Sequence, residues 1–189
     1  MKSIRLILLS AITFTSAISL RADHITPHTD NESQASITCA TDNDSIVFLD
    51  YNSFETVADI IRPYRGRPVL IDLWGTFCKP CIKSFAHVKP LQECAAENGI
   101  QLLYIDLDDS ERMTQRWKDL VLANNLLGHH VITNLSVAKD VHSVFRRNGK
   151  VQLPSYATVD REGNLRLLDI SIADMSDFSL LKSELEKIK

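Results

Sequence analysis

Apolar positions along the chain follow two alternating rhythms. Val69 to Trp74 and Ile100 to Leu107 are short, nearly continuous apolar runs, as expected of strands buried on both faces of a sheet. Val131 and Ile132 suggest a briefer strand. Between these runs apolar residues recur every three or four positions, which predicts helices. Phe54, Val57, Ile60 and Ile61 mark one over 53–64, with Ser53 as its N-cap. Ile82, Phe85, Val88 and Leu91 mark a second, stopped by Asn98-Gly99. Met113, Trp117, Leu120 and Val121 share a face of a third over 110–123, and Val137 to Phe145 forms a fourth. Ser155 to Val159 and Leu165 to Ile170 flank a turn at Asp160-Arg161-Glu162-Gly163-Asn164 and predict a hairpin. Asp177 to Ile188 closes the chain as an amphipathic helix. Strands alternating with helices predict an α/β fold with a central sheet flanked by helices, and the terminal hairpin makes that sheet mixed.

The first 45 residues break the rhythm. Lys2 and Arg5 precede a mostly apolar stretch from Leu6 to Leu20, and small residues follow near Ala17, Ser19 and Ala22. That is the layout of a secretory signal over 1–22, and the stretch is short of the roughly 20 residues a spanning helix needs. An uncleaved N-terminal membrane tether is the alternative. Residues 23–44 read as a polar linker and the start of an N-terminal hairpin, whose strands would be Ser36 to Ala40 and Ser45 to Asp50. The main domain then runs over 45–189. With 21 basic and 24 acidic residues the net charge is -3, which excludes a strongly basic nucleic-acid-binding footprint. Removing Lys2, Arg5 and Arg21 makes the remainder more acidic still. Export to the periplasm or cell envelope places thiols where disulfides persist.

Four cysteines are too few for a disulfide-built scaffold, but two are spaced as Cys78-Lys79-Pro80-Cys81. The pair stands where a strand becomes a helix, close enough to close a disulfide with little backbone motion. Cys78 at the helix N-terminus meets unpaired N–H groups and the positive end of the dipole, which favour a thiolate. Lys79 adds positive charge beside it, and Pro80 suits a first turn. Cys78 is therefore the expected nucleophile and Cys81 the thiol that resolves the mixed disulfide. Cys81 must first lose a proton. Asp72, an acid amid Leu70, Ile71, Leu73 and Trp74, is the candidate acceptor, although pairing with a nearby Lys or Arg would also explain it.

The segment Val69 to Cys81 resembles the thioredoxin superfamily, and with the export signal it looks like the TlpA/ResA-type thiol–disulfide oxidoreductases. The resemblance covers about Ser45 to Lys189 and fits loosely over 110–148. It matches Trp74 to the family's active-site tryptophan and Asp72 to its buried acid. Val151-Gln152-Leu153-Pro154-Ser155, followed by a strand and an Asp-x-x-Gly turn, looks like the family's cis-proline segment. By that resemblance Pro154 is cis and faces the dithiol, and the Leu153 backbone and Trp74 meet the substrate. The resemblance also implies protein substrates with thiols or disulfides, a membrane-bound redox partner, and reduction rather than oxidation of the substrate. The dithiol itself cycles, so no cofactor is required. Three departures stand out: Lys-Pro between the cysteines, Phe77 in place of a second tryptophan, and a helix proline at Pro90, with His87 closer to the site.

A zinc site is disfavoured, because His129-His130 are adjacent and no second ligand pair exists at suitable spacing. A thioredoxin-like copper-binding or non-catalytic partner-binding module, drawing on His87 or His142, is the competing reading. The two remaining cysteines, Cys39 and Cys94, are either a structural disulfide or two free thiols, Cys94 sharing a helical face with Leu91 and Ala95.

Overall fold

The apolar runs do become the buried centre of a sheet in the computed structural model, which describes residues 43–170 and 179–188. β2 (Val69–Trp74), β3 (Gln101–Asp106) and β4 (Gly128–Ile132) are buried at every position. β1 (Ile46–Phe48) lies at one edge, and the strand order is β1-β4-β3-β2-β5-β6, with β5 at Ser155–Val159 and β6 at Leu165–Leu168. β1, β4, β3 and β2 pair in parallel, while β5 is antiparallel to β2 and β6 to β5. The sheet is mixed for the reason the sequence suggested: a hairpin closes an otherwise parallel array.

Helices cover both faces. α2 (Lys79–Ser84), α3 (Val88–Glu97), α4 (Ser110–Ala123) and α6 (Ser179–Glu186) contribute Cys81, Leu91, Trp117 and Leu181 to one core, together with Leu70, Trp74 and Tyr104. α1 (Val57–Ile61) and α5 (Leu135–Val144) pack Val57, Ile60, Val137 and Val141 on the other face, against Ile71, Leu103 and Val131. The period-2 alternation of β2 sends Leu70, Asp72 and Trp74 to the first face and Val69, Ile71 and Leu73 to the second.

Several elements differ from the sequence expectation. The helix predicted over 53–64 is shorter: Thr56, not Ser53, is its N-cap, in a reciprocal capping box with Asp59. The long helix after the dithiol is interrupted by a 3₁₀ turn at Phe85–His87. Pro90 supplies the cause, since it has no N–H for the Ala86 carbonyl and its ring crowds that carbonyl. β4 begins at Gly128, three residues before the predicted strand. Gly128 has a φ of 124°, and a Cβ there would stand 2.8 Å from the Leu102 carbonyl oxygen. Asn43, assigned to the linker, is buried. Its side chain accepts the Leu102 N–H at 3.0 Å and donates to the Ile100 carbonyl. Of the predicted N-terminal hairpin, Ile46–Phe48 pairs with β4, and Ser36 to Ala40 lies outside the described residues. So do the signal segment over 1–22 and the first residues of the terminal helix.

Candidate active site

β2 ends at Trp74, and the loop Gly75-Thr76-Phe77 carries the chain to α2. Cys78 is the N-cap of α2, and its sulfur accepts the Cys81 N–H at 3.2 Å. That bond, with the helix end behind it, stabilises negative charge on the Cys78 sulfur. The two cysteines form a disulfide with an S–S distance of 2.04 Å. Cys78 is 6% exposed and Cys81 is fully buried, so an incoming thiol or disulfide meets Cys78 first. Lys79 and Pro80 occupy the exposed first turn. The two sulfurs therefore differ in access, Cys78 at the surface and Cys81 beneath it.

The presenting loop is held from below by the β3–α4 connection. Asp108 Oδ2 accepts the Thr76 N–H at 2.5 Å, and Arg116 donates to the Thr76 carbonyl at 3.3 Å. The Leu107 N–H extends the ladder to the Trp74 carbonyl at 2.9 Å. Asp106 lies opposite Trp74 in the register and is fully buried. Burial and the neighbouring Asp108 push its carboxyl up to about 9, so it is a neutral acid at pH 7. Sequence reasoning missed this pair. The available signal was an acidic step at the C-terminal end of a parallel strand, where open α/β sheets place their sites.

Asp72 sits in the middle of β2 beneath α2. Burial pushes it up to about 7, and among the described residues it forms no ion pair and its Oδ1 has no hydrogen-bond partner. Pairing with a Lys or Arg is therefore not what keeps an acid here. A carboxyl balanced near neutrality can take or return a proton. Across the sheet Asp72 is flanked by Tyr104 on β3 and Tyr156 on β5, and Tyr104 by His130 on β4. His130 stacks on Tyr104 with ring centroids 4.6 Å apart and donates its Nε2–H to the Leu126 carbonyl at 2.7 Å. Burial lowers it to about 4, so it is neutral. Burial, and after it the nearby Asp72 carboxyl, raises both tyrosines. Ser84 donates to the Cys81 carbonyl at 2.6 Å. His129, on the opposite side of the strand, meets the Tyr64 hydroxyl at 2.6 Å instead. Adjacent histidines on one strand point apart, which is why they share no ligand.

Trp74 is fully buried and packs edge-on against Phe85 at 5.0 Å. It supports the loop from inside the core, contrary to the expectation that it meets substrate. The exposed aromatic beside Cys78 is Phe77, 62% exposed. The Leu153–Pro154 peptide bond is cis. Leu153 joins Phe77, Cys78, Leu107, His142 and Val151 around a groove of about 480 Å³, and Pro154 lies just beyond it, beside Ser155 and Leu168. His87 is exposed outside this groove. Cys94 is a free, buried thiol whose sulfur faces the Asn98 amide at 3.5 Å. The proposed bridge to Cys39 is thus not made at Cys94, and Cys39 lies outside the described residues. Among the described residues no three His, Cys, Asp or Glu side chains converge as a metal-ligand set.

Comparison with known proteins fits this geometry. A family model described as Redoxin matches residues 34–182, most of the chain. This chain belongs to the Redoxin family. It is 23% identical over 105 residues to the thiol-disulfide oxidoreductase ResA of Bacillus thuringiensis subsp. konkukian, covering 56% of each chain. It is 22% identical over 129 residues to ResA of Geobacillus thermodenitrificans, covering 68% of this chain and 67% of that one. The match thus spans little more than half the length of the Bacillus relative. Two solved structures share the fold. The thioredoxin domain of a Bacteroides vulgatus thiol-disulfide oxidoreductase gives a TM-score of 0.52 at 19% identity, covering 68% of this chain and 84% of that one. A thiol:disulfide interchange protein from a Bacteroides species gives 0.50 at 21%, covering 69% and 76%. Within this Redoxin-family chain, the thioredoxin-like fold expected from the dithiol segment is the fold found.

Proposed function

We propose that this chain is a thiol–disulfide oxidoreductase that reduces disulfides in protein substrates outside the cytoplasm. The observation that carries the reading is the Cys78–Cys81 disulfide at a helix N-terminus, one sulfur reachable and the other buried, above a carboxyl near neutrality. In the reduced enzyme the Cys78 thiolate attacks one sulfur of a substrate disulfide. The substrate S–S bond breaks, a Cys78–substrate bond forms, and the first substrate sulfur leaves as a thiolate that takes a proton. Asp72 then accepts the Cys81 proton, and the Cys81 thiolate attacks the Cys78 sulfur. The mixed disulfide breaks, the second substrate thiol leaves, and the enzyme holds the Cys78–Cys81 disulfide. Two electrons have passed to the substrate, and the dithiol alone has carried them, so the reading requires no metal or organic cofactor.

Direction rests on opposed charges. The Cys81 N–H and Lys79 favour the thiolate, which makes the disulfide more oxidising. Asp108, whose carboxylate holds the amide two residues before Cys78, and the buried Asp72 disfavour it. The resemblance of the Val69 to Cys81 segment to TlpA/ResA-type oxidoreductases is what favours the reductive direction. Export is supported by the charged start and apolar stretch over 1–22. A reductase working there needs a donor, which we place in the membrane. No helix among the described residues is long and apolar enough to cross a membrane.

The test is the reduction potential of the Cys78–Cys81 pair, equilibrated in glutathione or dithiothreitol buffers. A value near about -270 mV is expected, and a value near about -120 mV would make the protein a disulfide donor instead.

A further inference from the structure

The walls around the dithiol carry a charge pattern that disulfide exchange does not require. Residues 73–92 and 141–159 hold Cys78 and Cys81 on one side and Val151, Leu153 and Pro154 on the other. Between them they contain Lys79, Lys83, Lys89, Arg146, Arg147 and Lys150, and their acids, Asp72, Glu93, Asp140 and Asp160, stand only at the borders, with Glu93 pairing Lys89 at 3.9 Å. Lys79 and Lys83 are exposed one helical turn apart, an arrangement that destabilises a helix when unpaired. Neither they nor the exposed Lys150 forms an ion pair with a described residue, whereas Arg147 is satisfied by Asp169 at 2.8 Å. The nearby acids are engaged: Asp108 holds the Thr76 N–H, Asp140 the Val57 N–H at 2.8 Å, and Asp109 caps α4. The floor of the groove, by contrast, is apolar, with Leu107, Val151 and Leu153 beside the exposed Phe77.

We propose that this groove selects protein substrates in which the target cysteine has an apolar neighbour and acidic flanking residues. The proposal rests on the thiol–disulfide exchange reading and names the substrate class for it. The apolar neighbour covers Leu107, Val151 and Leu153 while the substrate sulfur meets Cys78. The acids pair with Lys83 and Lys150 on the two walls. On a chain that is acidic overall, this local reversal steers acidic segments to the dithiol and turns basic ones away.

The experiment uses the reduced full-length chain and three symmetric peptide disulfides with the same Leu beside the cysteine, flanked by Glu, Gln or Lys. Each rate is divided by that of uncharged dithiothreitol with the same peptide, which removes intrinsic differences between the disulfides. At low salt the Glu peptide is expected to react roughly tenfold faster than the Lys peptide, with the gap closing in high salt as charges are screened. A Lys83→Glu/Lys150→Glu variant is expected to abolish or reverse the order, and Lys150→Glu alone to narrow it. Equal normalised rates for the three peptides, or a faster Lys peptide, would overturn the substrate class while leaving disulfide exchange intact. No reaction with any peptide would instead overturn the exchange reading and this proposal with it. Salt-sensitive binding to phosphatidylserine vesicles, lost in the double variant and unaccompanied by any peptide preference, would assign the lysines to a lipid surface and also overturn it.

Discussion

The two faces of the same sheet are built to different standards. On the α1/α5 face, Ile71, Leu103, Ile105, Val131 and Ala157 form an apolar layer, with His129 set into it on β4 against the Tyr64 hydroxyl. On the α2/α3 face, one row across four strands reads His130, Tyr104, Asp72, Tyr156, all of them titratable and all buried. Burying these groups costs stability that a row of leucines would not, because each must be kept neutral or hydrogen-bonded. The costly row lies under the dithiol and the apolar layer lies away from it. Stability is concentrated on one face, and the capacity to hold a proton near Cys81 on the other.

Substitutions sharpen that contrast. Ile71→Ala, on the apolar face, is expected to lower unfolding free energy by about 4 kcal/mol and to leave the reduction potential unmoved. Denaturant titration beside a glutathione equilibration checks both. Asp72→Asn should do the opposite. A carboxyl at about 7 in the folded protein, against an ordinary value of 3.8, binds more protons folded than unfolded between those limits. Its contribution is present at low pH and is lost as pH rises through about 7. The Asn variant is therefore expected to be about 4 kcal/mol more stable at pH 8 and no more stable below pH 4. No pH-dependent gain would break the comparison. His130 has the smallest effect and the reverse pH sense. Its folded value of about 4 lies below the ordinary 6.5, so stability is lost as pH falls through that window. Wild type is expected to lose about 3 kcal/mol more than His130→Phe between pH 7 and 4.

The contrast between faces also explains what the sequence disclosed. Regular periodicity was enough where packing is regular: β2 and α4 have the predicted bounds, and the dithiol, Asp72 and the cis Leu153–Pro154 bond were located from local spacing and resemblance. Cross-strand neighbours were not legible. Tyr104, Tyr156 and His130 are separated by 26 or more residues from one another or from Asp72, and only register brings them into a row. His130 was hidden a second way, because β4 starts earlier than its apolar pair Val131-Ile132 implied. Asp106 and Asp108 belong to no motif in the sequence, and only the fold sets Asp108 against the Thr76 N–H, with Asp106 behind it. Trp74 was read outward because its position matches an active-site tryptophan, but its side-chain parity with Leu70 and Asp72 turns it into the core.

The central claim is that Cys81 releases the substrate with Asp72 as proton acceptor. It is tested by loading a peptide on Cys78 as a mixed disulfide and following its release against pH in single turnover. Wild type is expected to release faster as pH rises through about 7, and Asp72→Asn to be slower by roughly 10²-fold, without that step. The same rate and the same pH profile in both proteins would contradict it.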